Sequence, residues 1–362
     1  MNARPVIEDG TSFLTLPCPL VLESGTELPQ VTVAYRTWGE LDADGGNAVL
    51  VCHALTGSAD ADEWWAGLLG PGRALDPERD FIVCSNVLGS CYGTTGPTHL
   101  SPFGGRRFGA GFPATTIRDV VEVQARLLDA LGVGELALVL GGSLGGMQAL
   151  EWAAMYPARV RSLAAISVGA KQSAWCIGLA EAQRHAIYSD ARWRGGHYDP
   201  LDPPTGGLAA ARMMAMCSYR HWGEFTARFD RELDEQGRFQ VQSYLRHQGQ
   251  KFVSRFDANS YVTLTRIMDS HDLGRGRGGV DAALSRIEVP ALIVGSKSDV
   301  LYVPAEQRAL AAALPRATLA WLDSPHGHDA FLIDTGELDA LLQRFRRPRT
   351  PRFGDPAHIF LF

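Results

Sequence analysis

The sequence predicts an α/β fold, with a mostly parallel sheet, flanking helices and an inserted helical cap. Three observations carry this. Short runs that are apolar at consecutive positions alternate with helical patterns. One of those runs passes through a glycine motif straight into a helix. The alternation then stops for one long interval that reads almost entirely as helix.

The apolar runs are Ala48 to His53, Phe81 to Ser85, Leu136 to Leu140, Ser162 to Val168, Ala291 to Gly295 and Leu319 to Leu322, each bounded by Gly, Pro or Asp. Consecutive apolar residues are what parallel strands covered on both faces require. Between them, Thr116 to Leu131 places Ile117, Val120, Val121, Leu127, Leu128 and Leu131 on one broad stripe, with Thr115 or Thr116 as N-cap. Leu144 to Tyr156 and Pro304 to Leu314 repeat the pattern. From Val168 to Pro290 only helical stretches follow one another, Trp175 to Tyr188, Gly207 to Arg220 and Ser260 to Ser270 among them. The expected layout is a core of residues 1–168 and 289–346, a cap of 169–288 and a tail of 347–362. Phe13 to Leu16 and Val31 to Thr37 alternate in the manner of antiparallel edge strands.

The composition narrows the function classes. Of 362 residues 46% are hydrophobic and 20% charged, which excludes a disordered or fibrous chain. The net charge is −6, and the densest basic run, Arg344 to Arg349, is broken by Phe345 and Pro348. Neither nucleic acid nor an anionic membrane surface is an expected partner. The start of the chain has no apolar core of a secretion signal, and no stretch approaches 18 apolar residues, so the expected compartment is the cytoplasm. Six scattered cysteines suit reduced thiols in apolar surroundings, with neither a disulfide framework nor a metal site. The 39 glycines exceed the usual share of about 7% and mark turns where backbone approaches something closely.

The sharpest motif is Gly141-Gly142-Ser143-Leu144-Gly145-Gly146, between a strand and a helix. This is the context of a nucleophile elbow, in which small neighbours permit a strained turn that lifts Ser143 Oγ out at the strand end. The alternative is a glycine turn that only folds helix onto strand. A serine needs a base and an orienting carboxylate, in the order Ser, Asp, His. Asp299 follows the run Ala291 to Gly295. Ser324-Pro325-His326-Gly327-His328-Asp329 follows the next run, and spacing does not choose between its two histidines. His53 reads as a packing or hydrogen-bonding residue. By position, the oxyanion donors are the backbone N–H groups of Leu55, in the loop after the first core strand, and of Leu144. Arg212 is a lone charge in an otherwise small and apolar helix. It either pairs with a structural carboxylate or faces the cleft and binds a substrate carboxylate.

The motif set resembles the homoserine O-acetyltransferase family of the α/β-hydrolase fold. The resemblance covers about Phe13 to Phe345 and rests on HALTGS (His53 to Ser58), NVLGSCYGTTGP (Asn86 to Pro97), GGSLGGMQALEWA (Gly141 to Ala153), ARMMAMCSYR (Ala211 to Arg220), MDSHDLGRGRGG (Met268 to Gly279) and SPHGHDAFL (Ser324 to Leu332). It implies Ser143 as nucleophile, Asp299 as orienting acid and His328 rather than His326 as base. It assigns Arg212 and Asp329 to the amino-acid substrate. It further implies a ping-pong transfer from acetyl-CoA to L-homoserine, as the first committed step towards methionine, with no permanently bound cofactor and a homodimer formed through the cap helices. Succinyl-CoA with homoserine or serine is the nearest alternative, and a carboxylesterase the more distant one. Family members often carry Asn where Ala180 stands; Ala180 supplies no charge for a succinyl group, which favours acetyl, while Arg184 and Lys171 are the cations to locate.

Overall fold

The computed structural model describes residues 7–102 and 104–347. Eight strands form one sheet: β1 (Ser12–Thr15), β2 (Thr32–Trp38), β3 (Ala48–Cys52), β4 (Phe81–Ser85), β5 (Leu138–Gly142), β6 (Leu163–Ile166), β7 (Ala291–Ser296) and β8 (Ala317–Leu322). Their spatial order is β1-β2-β4-β3-β5-β6-β7-β8. The two ladders that β2 makes, with β1 and β4, are antiparallel and the other five are parallel. The central strands β3, β5, β6 and β7 are buried along their whole length. That is why they stand out in the sequence as continuous apolar runs.

Most strand limits shift by one or two residues from the sequence expectation, and two of the shifts have a clear cause. β5 starts at Leu138 and runs on through Gly141 and Gly142, which pair with Ala165 and Ile166. The glycines therefore lie in the strand, and Leu136 makes only an isolated bridge to Val160. β8 starts two residues early, at Ala317. As an edge strand it is only partly buried, so its first residues carry no apolar signal.

On the sheet lie α1 (Ile117–Ala130) and α2 (Leu144–Met155). Thr116 caps α1 in a reciprocal box with Asp119, an arrangement worth about 1 kcal/mol. After β6 come α3 (Ala174–Tyr188), α4 (Thr205–Tyr219), α5 (Trp222–Phe229), α6 (Gln240–Val253) and α7 (Ala258–Asp269), before the chain rejoins the sheet at β7. α4 packs against both α3 and α6, and α3 also against α7. α6 was not an individual expectation from the sequence. It buries only Gly249 and Phe252, too few apolar positions to make a clear stripe. The helices α8 (Pro304–Ala313) and α9 (Thr335–Arg346) complete the described chain. Of the expected tail, 348–362 lies outside the described residues.

The segment MDSHDLGRGRGG anchors the return into the sheet. Buried Glu151 of α2 takes Arg118 at 2.8 Å and Arg277 at 2.5 Å, and Glu23 takes Arg118 and Arg275. His271 Nε2 meets Gly169 O, and Gln172 N–H donates to His271 O. The chain leaving β6 and the chain returning to β7 are thus held together. All six cysteines are free thiols. Cys52, Cys84, Cys91 and Cys176 are buried, but Cys18 and Cys217 are exposed, against the expectation of uniformly apolar surroundings.

Candidate active site

Ser143 stands at the carboxyl end of β5 and is the first residue of the turn into α2. Its backbone takes φ 55° and ψ −121°, outside the regions open to L-residues without strain, at a cost of about 1–3 kcal/mol. The strain falls on the serine. The glycines beside it serve close approach: a Cβ on Gly145 would lie 2.0 Å from Cys52 O, and one on Gly142 would meet the Phe331 ring at 2.5 Å. The start of α2 can therefore press against the end of β3. Neither Leu55 N–H nor Leu144 N–H donates to another protein group among the described residues, so both remain available to a substrate oxygen.

His328 Nδ1 donates to Asp299 Oδ2 at 2.8 Å, with both side chains buried. Asp299 Oδ1 accepts from Leu301 N–H at 2.8 Å and Tyr302 N–H at 3.0 Å, which fixes the carboxylate plane. The imidazole is packed by Tyr302 (centroids 5.3 Å apart), Phe331 (5.6 Å) and Tyr219 (5.8 Å). Tyr219 and Tyr302 also line the cavity that holds Ser143, with Leu55, Cys176, Ala180 and Met268. Burial disfavours a charged imidazole, but the Asp299 charge and hydrogen bond outweigh it, and the His328 pKa lies above its ordinary value.

The other two histidines are placed differently. His326 sits 3.3 Å from Glu224, away from Asp299. His53 is fully buried. Its Nε2 accepts from Val87 N–H at 3.0 Å, so Nδ1 carries the proton, 2.8 Å from Ala54 O. Burial pushes its pKa down to about 4, and this neutral ring organises the loop that carries Leu55. Gln148 Nε2 supports the same loop through His53 O at 3.3 Å, within a buried chain that continues to Gln124 and Trp152.

Arg212 has no carboxylate within ion-pair distance among the described residues. Its guanidinium lies against Tyr219 (5.4 Å) and Phe252 (5.2 Å). Asp329 is also at the site, but with a partner the sequence did not suggest: Arg220 Nε at 3.1 Å, itself held by Glu224 at 2.9 Å. Burial raises the Asp329 pKa, with the Arg220 charge working against it. Of the residues missed in the sequence, Tyr219 had a signal. It lies seven residues after Arg212, two helical turns on the same face. Arg220 and Glu224 had none, because their relation to Asp329 crosses a hundred residues of chain.

No Lys or Arg lines the Ser143 cavity among the described residues. Arg184 is turned to Asp269 (2.7 Å) and Glu181 (2.8 Å), and Lys171 is exposed. Ala180 forms part of the cavity wall.

Residues 47–335 match the family model of the alpha/beta hydrolase fold. A homoserine O-acetyltransferase of Trichormus variabilis is 57% identical over 348 residues, covering 96% of this chain and 97% of its own. The chain belongs to the homoserine O-acetyltransferase family. Solved structures agree on the fold. The homoserine O-acetyltransferase of Bacillus anthracis superposes with a TM-score of 0.88 at 24% identity, over 94% of this chain and 99% of its own. An acetylester hydrolase of Corynebacterium glutamicum gives 0.84 at 23%, over 93% and 95%. Homoserine O-acetyltransferases and ester hydrolases thus share one scaffold, so the fold by itself does not choose between the two activities.

Proposed function

We propose that this protein transfers the acetyl group of acetyl-CoA to the side-chain hydroxyl of L-homoserine, through an acetyl-Ser143 intermediate. The carrying observation is Arg212: among the described residues its guanidinium has no carboxylate partner, and it lies against a tyrosine that packs on His328. A half-buried guanidinium that rests on two aromatic rings is free to take an anion in a forked hydrogen bond, and an α-carboxylate supplies one. Asp329 takes the α-ammonium, which places the zwitterion's hydroxyl near His328. A plain carboxylesterase has no use for this pair of charges.

In the first half-reaction His328 Nε2 takes the Ser143 proton and Oγ attacks the thioester carbonyl. The oxyanion is held by the Leu55 and Leu144 N–H groups, and the CoA thiolate leaves, protonated by His328. In the second, His328 takes the homoserine hydroxyl proton, the alkoxide attacks the acetyl ester, and Ser143 recovers the proton. Asp299 fixes the imidazole so that Nε2 accepts. Water must be kept from the acyl-enzyme, and the helices of residues 169–288, read as a cap over the core of 1–168 and 289–346, serve this. Among the described residues no Lys or Arg lines the Ser143 cavity itself, which favours acetyl over succinyl. The exposed Met214 and Trp222 on cap helices suit a homodimer formed there. The reading is of a cytoplasmic enzyme entering methionine synthesis, with acyl-CoA and L-homoserine as substrates and no permanent cofactor.

The test crosses acetyl-CoA and succinyl-CoA with homoserine and serine, following free thiol and product mass. Rapid thiol release is expected only for acetyl-CoA with homoserine, and none from Ser143→Ala. Release independent of any amino acid would make the protein a hydrolase instead.

A further inference from the structure

The Leu55 N–H acts only if the turn that carries it is held still. Residues Ala54 to Gly57 form that turn, closed by Gly57 N–H to Ala54 O at 2.9 Å. The core grips its first half through the His53 ring and Gln148. The second half is gripped by a residue from far along the chain. Arg255, between α6 and α7, donates from Nη1 to Thr56 O at 2.9 Å and to Tyr92 Oη at 2.7 Å. Its guanidinium also lies 5.2 Å from the Phe252 ring, the ring that carries Arg212 at the same distance.

No carboxylate pairs with Arg255 among the described residues, so this half-buried cation is committed to a backbone carbonyl, a phenol and an aromatic ring. A charged donor holds a carbonyl roughly twice as strongly as a neutral one. Fixing Thr56 O sets the plane of the peptide that closes the turn, and with it the direction of the Leu55 N–H. We propose that Arg255 is a positioning residue for acyl transfer: it clamps the Thr56 carbonyl and aims the Leu55 N–H at the oxyanion. This rests on the acyl-transfer reading of Ser143 and Leu55 given above. Arg255 and Arg212 share the Phe252 ring, so the oxyanion loop and the substrate-carboxylate end of the site are built on one aromatic support from the cap.

The test uses the full-length enzyme and single-turnover acylation, with p-nitrophenyl acetate and with acetyl-CoA as donors. Arg255→Ala is expected to lower the acylation rate constant about 10- to 100-fold with both donors, the scale of a misplaced oxyanion donor. KM for homoserine stays within about threefold, since substrate contacts are untouched. Added guanidinium chloride restores part of the loss. Tyr92→Phe leaves the Thr56 bond in place and acylates at close to the wild-type rate. Arg255→Lys retains a cation but not the forked geometry and falls between. Acylation of Arg255→Ala at the wild-type rate overturns the proposal, as does a loss that guanidinium leaves unrestored and that raises KM for homoserine equally. If Arg255→Ala does not fold, Arg255→Lys decides: a wild-type rate overturns the proposal, a reduced rate with unchanged KM supports it. A wild-type enzyme that is never acylated defeats the acyl-transfer reading itself; an acylated wild type matched by its Arg255 variants defeats only the role of Arg255.

Discussion

Asp299→Asn isolates the orienting role of a single oxygen. Asp299 Oδ1 takes two backbone N–H groups, from Leu301 and Tyr302, while Oδ2 faces His328 Nδ1. In the asparagine variant the amide oxygen must keep the Oδ1 position, because an NH2 group there would forfeit two hydrogen bonds at about 1–3 kcal/mol each. The amide nitrogen is then forced against His328 Nδ1. Two donors cannot bond, so Nδ1 becomes the acceptor and the ring proton moves to Nε2, the atom that must accept from Ser143. The imidazole holds its place in the wrong tautomer. The expected loss is about 10⁴-fold in kcat, or ~5.5 kcal/mol at 1.36 kcal/mol per decade. The assay is CoA thiol release with saturating homoserine, with circular dichroism and thermal melting to show an unchanged fold. Asp299→Ala serves as the contrast: it leaves both N–H groups unpaired and should also lower the melting midpoint. Asp299→Asn activity within tenfold of wild type would refute the reasoning, since the tautomer would then not be controlling the base.

The remaining predictions concern pH, the substrate charges and the elbow. Because Asp299 raises the His328 pKa above the ordinary value of about 6.5, acylation should rise with pH through a midpoint above 6.5. The same pair stabilises the fold below that value and loses its contribution as pH climbs through the raised pKa. An acylation profile flat down to pH 5 would contradict this. Arg212→Ala should raise KM for homoserine about 10- to 100-fold, from the loss of ~1.5–3 kcal/mol in a charged hydrogen bond. Its single-turnover acylation by acetyl-CoA should be unchanged; an acylation defect would place Arg212 elsewhere in the mechanism. Gly145→Ala brings a methyl to 2.0 Å from Cys52 O and must push α2 from β3 by about 1 Å, the displacement that costs roughly 100-fold in rate. Steady-state kinetics on the folded variant would check this, and full activity would show that the approach of α2 to β3 is not required.

The main elements were legible because each carries a local signature. β3, β5, β6 and β7 are covered on both faces, so burial is written into consecutive residues. The strand-glycine-serine-helix motif is legible because its residues are consecutive, although what excludes a side chain at Gly145 is the backbone of Cys52 and His53 at the end of β3. The edge strand β8 and the helix α6 were less legible, since partial exposure dilutes the apolar pattern. Between His326 and His328 the spacing in the chain was neutral. Only the fold puts one ring on Asp299 and the other on Glu224.

By itself, then, the sequence determined the α/β class, the long helical interval after Val168, and the ordered appearance of Ser143, Asp299 and the histidine pair. These follow from periodicity and from steric limits that act over a few residues. The tertiary structure alone decided that Arg212 meets no carboxylate among the described residues, that Asp329 is held by Arg220, and that Arg255 closes on the Thr56 carbonyl from 199 residues away. Such pairings depend on distance in space and on exclusion of water. Neither quantity is written in the order of residues until the helices between β6 and β7 have packed with the sheet.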